Sequence, residues 1–204
     1  FLLWSFTMPN WCDNSVRLSH SDKSKVDALF AVLESEEREV FQHLRPRPES
    51  EKDNWYDWNV TNWGTKWEIS VIDWNREDDN TIWIGFDTAW APPISLYQYL
   101  YEQGWQVEGL YHEGGMAFCG IWKDGDDDYY EYESDDLESL EALPDDLQEF
   151  TGLIDYYHDQ QEEREREAAE EAYEETVTEW YPAEVNPHYV GEYETKTADM
   201  WPFY

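Results

Sequence analysis

The order of alternating and helix-spaced apolar residues predicts an α+β domain. Alternation predicts a first strand in 14–20, and apolar residues at helical spacing predict a helix that begins after an N-cap at Ser21 or Asp22. A proline-containing stretch, 45–52, then predicts a loop, because proline does not fit the interior of a helix.

A hairpin and a second helix follow this loop. Alternation predicts strands in 67–74 and 81–88, and a proline-initiated helix in 91–104 ends at Gly104. Three more strands, separated by glycine-containing turns, extend to residue 134. The order is β-α-β-β-α-β with extra strands, which is typical of the ferredoxin-like fold, a mostly antiparallel sheet with the helices on one face.

The helical period returns in 143–177, where an apolar stripe ends near Tyr157, so we expect this helix to dock by its first half only. We therefore interpret 8–133 as a ferredoxin-like domain, 134–177 as an acidic helical extension and 178–204 as an aromatic, proline-containing tail. Residues 1–7, which precede Met8, are interpreted as upstream or non-native sequence.

Negative charge is concentrated toward the C-terminus. The chain has 48 Asp and Glu against 13 Lys and Arg, a formal net charge of -35. Residues 124–163 contain 17 acidic residues and no Lys or Arg, and residues 124–204 carry a net charge of -25. Such a chain repels nucleic acid and anionic membrane surfaces, so a macromolecular partner that it meets electrostatically should be basic.

Four motifs carry a resemblance to a known family. They are MPNWCDN (8–14), NWYDWNVTNWGTKWE (54–68), FDTAWAPP (86–93) and EGGMAFCG (113–120). Together they resemble the YubB-like family of phage and plasmid proteins, whose function is uncharacterised. The resemblance covers residues 8 to about 123. It implies a ferredoxin-like domain and an origin in a mobile element, and it implies no catalytic residues.

The acidic region has two interpretations. One is a hydrated surface that keeps the protein soluble or adapts it to salt. The other, our leading hypothesis, is a non-enzymatic phage or plasmid accessory protein that binds a basic host protein, with acidic mimicry of DNA as one form of that binding. The residues assigned to this partner surface are Asp124, Asp126, Asp127, Asp128, Glu131, Glu133, Asp135, Asp136, Glu162, Glu163, Glu170, Glu171, Glu174 and Glu175.

The tryptophan-rich segment 54–67 also has two interpretations. It is either a rigid loop that packs its rings on the sheet or against Trp90, or a recognition surface for a base, a sugar or a peptide. The second interpretation gives the alternative function of a small-ligand or peptide-binding module. Its assigned residues are Trp55, Asp57, Trp58, Asn62, Trp63, Lys66, Trp67 and Trp90.

Other chemistry has little support in the sequence. Asp124, Asp126 and Asp128 match the start of a calcium loop, but the later positions fail. Cys12 and Cys119 are either a disulfide or two buried thiols, and the latter is favoured. We therefore predict no enzyme activity, no cofactor and no metal. Without an apolar run of the roughly 18–20 residues that cross a bilayer, we expect the cytoplasm of a bacterial host and no membrane partner.

Overall fold

A computed structural model of the protein describes residues 9–179, with side chains up to Tyr173. The chain divides into two compact units, Phe1–Tyr157 and His158–Tyr204. The interpretation of residues 1–7, and that of the tail apart from its first two residues, lies outside the described residues.

The first unit is built on a six-stranded sheet in which every neighbouring pair is antiparallel. The strand order is β2-β3-β1-β4-β5-β6. The strands are β1 Trp11–Ser19, β2 Ser70–Arg76, β3 Thr81–Ala89, β4 Gln106–Glu113, β5 Phe118–Lys123 and β6 Asp126–Glu131. The helices are α1 Lys23–Leu33, α2 Val40–Leu44, α3 Trp55–Asn62, α4 Ile94–Glu102, α5 Leu137–Glu141, α6 Asp145–Thr151 and α7 Leu153–Glu179.

Two crossover connections define the centre of the sheet. Strands β1 and β2 both pair antiparallel with β3, so they run parallel to each other with β3 between them. Strands β3 and β4 are likewise parallel, with β1 between them, and α4 connects them. The predicted strands and the helices α1 and α4 are thus confirmed, including the N-cap at Asp22, whose side chain accepts a hydrogen bond from the Ser24 N–H.

Helices α1 and α4 pack on one face of the sheet, as predicted. The alternating strand residues Ile82, Ile84 and Phe86 are buried there, beneath Leu29 of α1 and Leu96 of α4. Burial of each such side chain contributes roughly 1.5–3 kcal/mol, so this core supplies much of the free energy of folding.

Helices α5 and α6 lie on the other face, so helices cover both faces of the sheet rather than one. Leu140 and Leu147 pack there with Cys119, Leu110 and Ile121. In β4 and β5 these sheet residues alternate with Val107 and Trp122, which belong to the first core, and alternate strand residues point to opposite faces. The apolar stripe in 143–177 predicted that a helix would be buried, but it did not predict which face of the sheet the helix would cover.

Two predictions of local structure are wrong. The helix predicted in 143–177 is divided at Gly152, whose φ of 62° is left-handed and ends α6. A rigid loop was one interpretation of the tryptophan-rich segment, but residues Trp55–Asn62 form helix α3. Its Asn62 amide donates to the Trp58 carbonyl (2.9 Å), so this side chain bonds within the helix.

Candidate functional site

The acidic surface, defined here as the carboxylates of residues 124–149, begins at a tight turn. Asp124 and Gly125 have φ values of 51° and 96°, and this two-residue turn joins β5 to β6. Asp-Gly favours such hairpins because both positions adopt positive φ. The calcium-loop match is therefore part of a hairpin, with Asp126 and Asp128 on strand β6. Strand β6 is the last in the sheet order, so the turn places these carboxylates at the sheet edge.

Every acidic residue of this surface belongs to the exposed class, although the Asp127 carboxyl is partly buried against Tyr111. The 13 acidic residues between 124 and 149 include the eight assigned from the sequence in 124–136, and all belong to exposed residues. Within residues 9–173, no Lys or Arg forms an ion pair with any of them. Lys123, at the border, pairs instead with Glu108 at 2.8 Å. The surface is thus a region of uncompensated negative charge.

A few of these carboxylates have neutral partners. The Tyr111 hydroxyl donates to Asp127 (2.7 Å), and Asp136 accepts from the Glu138 N–H and caps α5. Burial raises the pKa of Asp127, the bond from Tyr111 lowers it, and the charge of Asp128 raises it. These bonds fix the position of the surface without neutralising it.

The second unit carries the other assigned acidic residues on α7. Glu162, Glu163, Glu170 and Glu171 are exposed, and Glu163 lies 3.4 Å from Arg166. The side chains of Glu174 and Glu175 lie outside those that the structure describes. Because residues 162–173 are all exposed, this part of α7 presents charge on all sides.

The ring-bearing segment has a buried part, centred on Trp63. This ring is 3% exposed, its indole N–H donates to the Arg45 carbonyl (3.0 Å), and it makes edge contacts with Trp58 and Phe41. Trp58 is half-buried against the first core. These two assigned residues therefore have structural contacts. Asp57 is exposed, and its side chain makes no hydrogen bond or ion pair within residues 9–173.

Two arginines hold α3 in place. Arg45 donates to the carbonyls of Asn62 (2.6 Å) and Ser95 (3.3 Å). Arg47 donates to the Asn59 side-chain oxygen (2.8 Å), and the Asn59 amide donates to the Lys66 carbonyl. The guanidinium groups of Arg45 and Arg47 are therefore engaged in internal hydrogen bonds, which fix the position of the segment that carries the rings.

A cleft of about 390 Å³ opens beside these rings. Its floor includes Glu68, whose carboxylate accepts from the N–H groups of Phe41 (2.6 Å) and Gln42 (2.9 Å). Burial raises the pKa of Glu68, and these backbone bonds lower it. Three tryptophan rings and five polar or charged side chains line the cleft, so it is more polar than most small-ligand sites. It is lined by Glu39, Gln42, Arg47, Trp55, Asn59, Trp63, Trp67 and Glu68.

Three of the remaining rings surround Lys66. Its ammonium lies over Trp67, Trp90 and Tyr56, and the rings of Trp67 and Trp90 are 5.7 Å apart. Sequence reasoning missed Tyr56, Arg47 and Glu68. Tyr56 and Glu68 lie inside the motif 54–68, so their positions in the sequence were a usable signal, but nothing in the sequence places Arg47 beside the rings.

A third polar cluster lies at one end of β1, β3 and β4. Asp13 and Asp87 are register partners, and burial followed by the hydrogen bond and charge of Asp13 raises the pKa of Asp87 to about 6. His112 contacts the Tyr132 hydroxyl at 2.7 Å and lies 4.0 Å from Asp13. Burial lowers the pKa of His112. This network contains no activated nucleophile.

Both cysteines are buried and free. Burial raises the pKa of Cys12 to about 12 and that of Cys119 to about 11, so neither is a thiolate at neutral pH. Among the described residues, no group of three or more His, Cys, Asp or Glu side chains is arranged to hold a metal ion. No helix in the described part of the chain is long and apolar enough to cross a membrane.

Comparisons with known proteins add little to this geometry. No family model and no curated protein matches the chain. Among solved structures, it is similar to the crystal structure of the protein api92 from Yersinia pseudotuberculosis, described with the family model DUF1281. The identity is 19%, the match covers 52% of this chain and 39% of that chain, and the TM-score is 0.30. A similarity at this TM-score carries neither a fold nor a function over to this chain.

Proposed function

We propose that the protein binds a basic protein through its acidic surface and acts by binding rather than by catalysis. The observation that carries the proposal is the exposure of all 13 acidic residues in 124–149, with no Lys or Arg paired to them in the described residues. An uncompensated surface of this kind attracts a basic partner over a Debye length and accelerates association.

The internal partners of the Lys and Arg residues before position 124 support the proposal that the acidic surface binds a basic protein. Each of the ten Lys and Arg residues before position 124 has an internal partner, such as Glu77 for Arg17, Asp27 for Arg76 and Glu108 for Lys123. Since those cations are engaged elsewhere, a partner's Lys and Arg side chains supply the charges that the acidic surface lacks.

Mimicry of DNA is the narrower form of this proposal. Residues 158–173 of α7 carry seven acidic residues and two arginines over a helix length of about 24 Å. That is one net negative charge per roughly 5 Å of helix axis, whereas duplex DNA carries about one per 1.7 Å of its axis. Helix α7 alone therefore has less than half the charge density of DNA, and binding to a basic protein surface is the broader proposal.

We also propose a ferredoxin-like fold and membership of the YubB-like family, with a mobile-element origin and action in the cytoplasm of a bacterial host. The order β2-β3-β1-β4 and its two interleaved β-α-β connections support the fold. The four sequence motifs support the family. Strands β5 and β6 are additions at one edge.

The test compares two triple variants that remove equal charge. One neutralises Asp126, Asp128 and Glu133, and the matched control neutralises Glu34, Glu36 and Glu37, which are also exposed. Both are titrated against purified basic DNA-binding proteins of a bacterial host, with polylysine as the nonspecific comparison.

We expect the first variant to lose affinity and salt dependence, and the control to bind as the wild type does. Equal losses in both variants, or affinity for the host proteins no greater than for polylysine, would contradict the proposal. Competition by a short DNA duplex tests mimicry separately, because a mimic and DNA exclude each other from one site.

A second candidate function is a module that binds a small ligand or peptide at the ring-lined cleft of about 390 Å³. Trp55 and Trp67 line this cleft and are partly exposed, so a bound ligand should change tryptophan emission. Emission that stays constant across a broad ligand set would remove this candidate and leave the acidic proposal unaffected.

A further inference from the structure

Three exposed rings form a cage around one ammonium group. The Nζ atom of Lys66 lies 4.3 Å from the ring centroid of Trp67, 5.2 Å from that of Trp90 and 5.7 Å from that of Tyr56. All three distances fall within the ~6 Å at which a cation is attracted to the face of a ring. We call Tyr56, Trp67 and Trp90 the aromatic cage.

The rings take the place of an anionic partner for Lys66. Lys23, Lys52 and Lys123 each pair with a carboxylate, and Lys25 contacts a histidine ring nitrogen. Within residues 9–173, no carboxylate lies within ion-pair distance of the Lys66 ammonium. Although the chain has 48 acidic residues, the Lys66 ammonium lies among rings. This indicates that the arrangement of the three rings suits a cation.

The backbone that carries the cage is fixed on both sides. The Thr65 hydroxyl donates to the Ala89 carbonyl (3.1 Å), and the Trp90 N–H donates to the Asn10 carbonyl (2.9 Å). Trp90 has a φ of 65°, a left-handed conformation that is costly for a bulky residue and so depends on such bonds. The backbone at Thr65 and Trp90 is therefore fixed. The Lys66 side chain, in contrast, is flexible and can move away from the rings.

We propose that the aromatic cage binds the quaternary ammonium or methylated amine group of a ligand, and that Lys66 is an internal competitor that must leave first. A quaternary ammonium is more weakly hydrated than a lysine ammonium, so it loses less hydration on contact with rings. The cage is open to such a group, because Tyr56, Trp67 and Trp90 are 47%, 37% and 42% exposed. The net charge of -35 raises the local concentration of any cation.

This inference rests on the second candidate function, a ligand-binding ring surface, and gives its ligand class. It is independent of the acidic surface. Failure of the cage with a ligand still detected in the cleft would remove this inference and leave that candidate standing.

The experiment titrates the full chain with choline and with its neutral isostere 3,3-dimethyl-1-butanol, followed by tryptophan fluorescence and calorimetry. The wild type should bind choline and not the isostere. Lys66→Met removes the competitor and should tighten choline binding by about 2- to 5-fold, the value of one exposed cation–ring contact. The matched control is Lys52→Met, which removes a lysine paired only with Glu49 and should bind as the wild type does.

Two further variants separate the ring effect from simple burial. Trp90→Leu and Tyr56→Leu keep apolar bulk and remove the ring face, so each should lose choline binding. Tyr56 is 47% exposed and its side chain makes no hydrogen bond within residues 9–173, so its variant should fold even if that of Trp90 does not. Equal binding of the isostere, an equal gain in Lys52→Met, no gain in Lys66→Met, or unchanged binding in Tyr56→Leu would overturn the inference.

Discussion

The ring-bearing segment and the acidic surface treat their polar groups in opposite ways. Around α3, Arg45 and Arg47 donate to groups of the segment itself, and Lys66 lies over rings. On the acidic surface, the acidic residues are exposed, and none has a Lys or Arg ion-pair partner in the described residues. We infer that the buried part of the first region, around Trp63, stabilises the fold, and that the second region retains charge for another molecule.

The largest effect should come from the buried end of the ring segment. Trp63→Ala removes a ring that is 3% exposed and leaves the Arg45 carbonyl without its donor. We expect a loss of about 3–5 kcal/mol in the free energy of unfolding, measured by urea denaturation. Trp55→Ala is the comparison, since that ring is 37% exposed and should cost less than the ring of Trp63. Similar costs for both would mean that the segment is not anchored at Trp63.

An intermediate effect should follow from removal of an anchoring arginine. Arg47→Met leaves the side-chain oxygen of the buried Asn59 without its donor, which should cost about 1–3 kcal/mol. Lys52→Met, which removes only an exposed ion pair with Glu49, should change the unfolding free energy by no more than about 1 kcal/mol. Equal changes in unfolding free energy for the two variants would show that the Arg47–Asn59 bond does not stabilise the fold.

Neutralising part of the acidic surface should not lower the free energy of unfolding, whereas the two changes above should. Neutralising Asp126, Asp128 and Glu133 relieves repulsion between exposed carboxylates, so unfolding free energy should stay constant or rise by a few tenths of a kcal/mol. The same change should reduce the stabilisation of the protein by added salt. A clear loss of stability in this variant would show that these carboxylates have favourable partners in the folded protein.

A pH-dependent effect is expected from the Asp13–Asp87 pair. The pKa of Asp87 is raised to about 6, above its ordinary value near 3.8, by burial and by the neighbouring Asp13. The folded state therefore holds this proton more tightly than the unfolded state, so the pair's contribution to stability is lost as pH rises from about 4 through 6.

Asp13→Asn should shift the Asp87 titration, followed by carboxyl NMR, toward lower pH and flatten that part of the stability profile. The control is Asp73→Asn, which changes an exposed aspartate that does not contribute to the raised pKa of Asp87. An unchanged Asp87 titration in Asp13→Asn would contradict the pairing.

The sheet could be predicted because alternation is local. Strand β3 follows directly from Ile82, Ile84 and Phe86, which are apolar at every second position. Helix α3 was not predicted because its Asn and Asp residues also favour turns. The contacts that hold it, from Arg45, Arg47 and Trp63, are tertiary and leave no local signal. The break at Gly152 was missed because an isolated glycine is tolerated inside a helix.

Surfaces that depend on residues distant in sequence were harder to predict. The exposure of the acidic surface follows from composition, but its position at the edge strand depends on the order of strands in the sheet. The cage requires Lys66 and Trp90 to meet across separate elements. No periodicity in the sequence contains that information.

We propose that a basic protein binds the acidic surface while the ring segment keeps its packing in that complex. Hydrogen exchange of the full chain with and without a purified basic host DNA-binding protein tests it most directly. We predict new protection in β6, α5 and α6, within residues 126–151, and unchanged exchange in α3. Protection centred on residues 54–67, or no localised protection at a concentration where the two proteins bind, would contradict the claim.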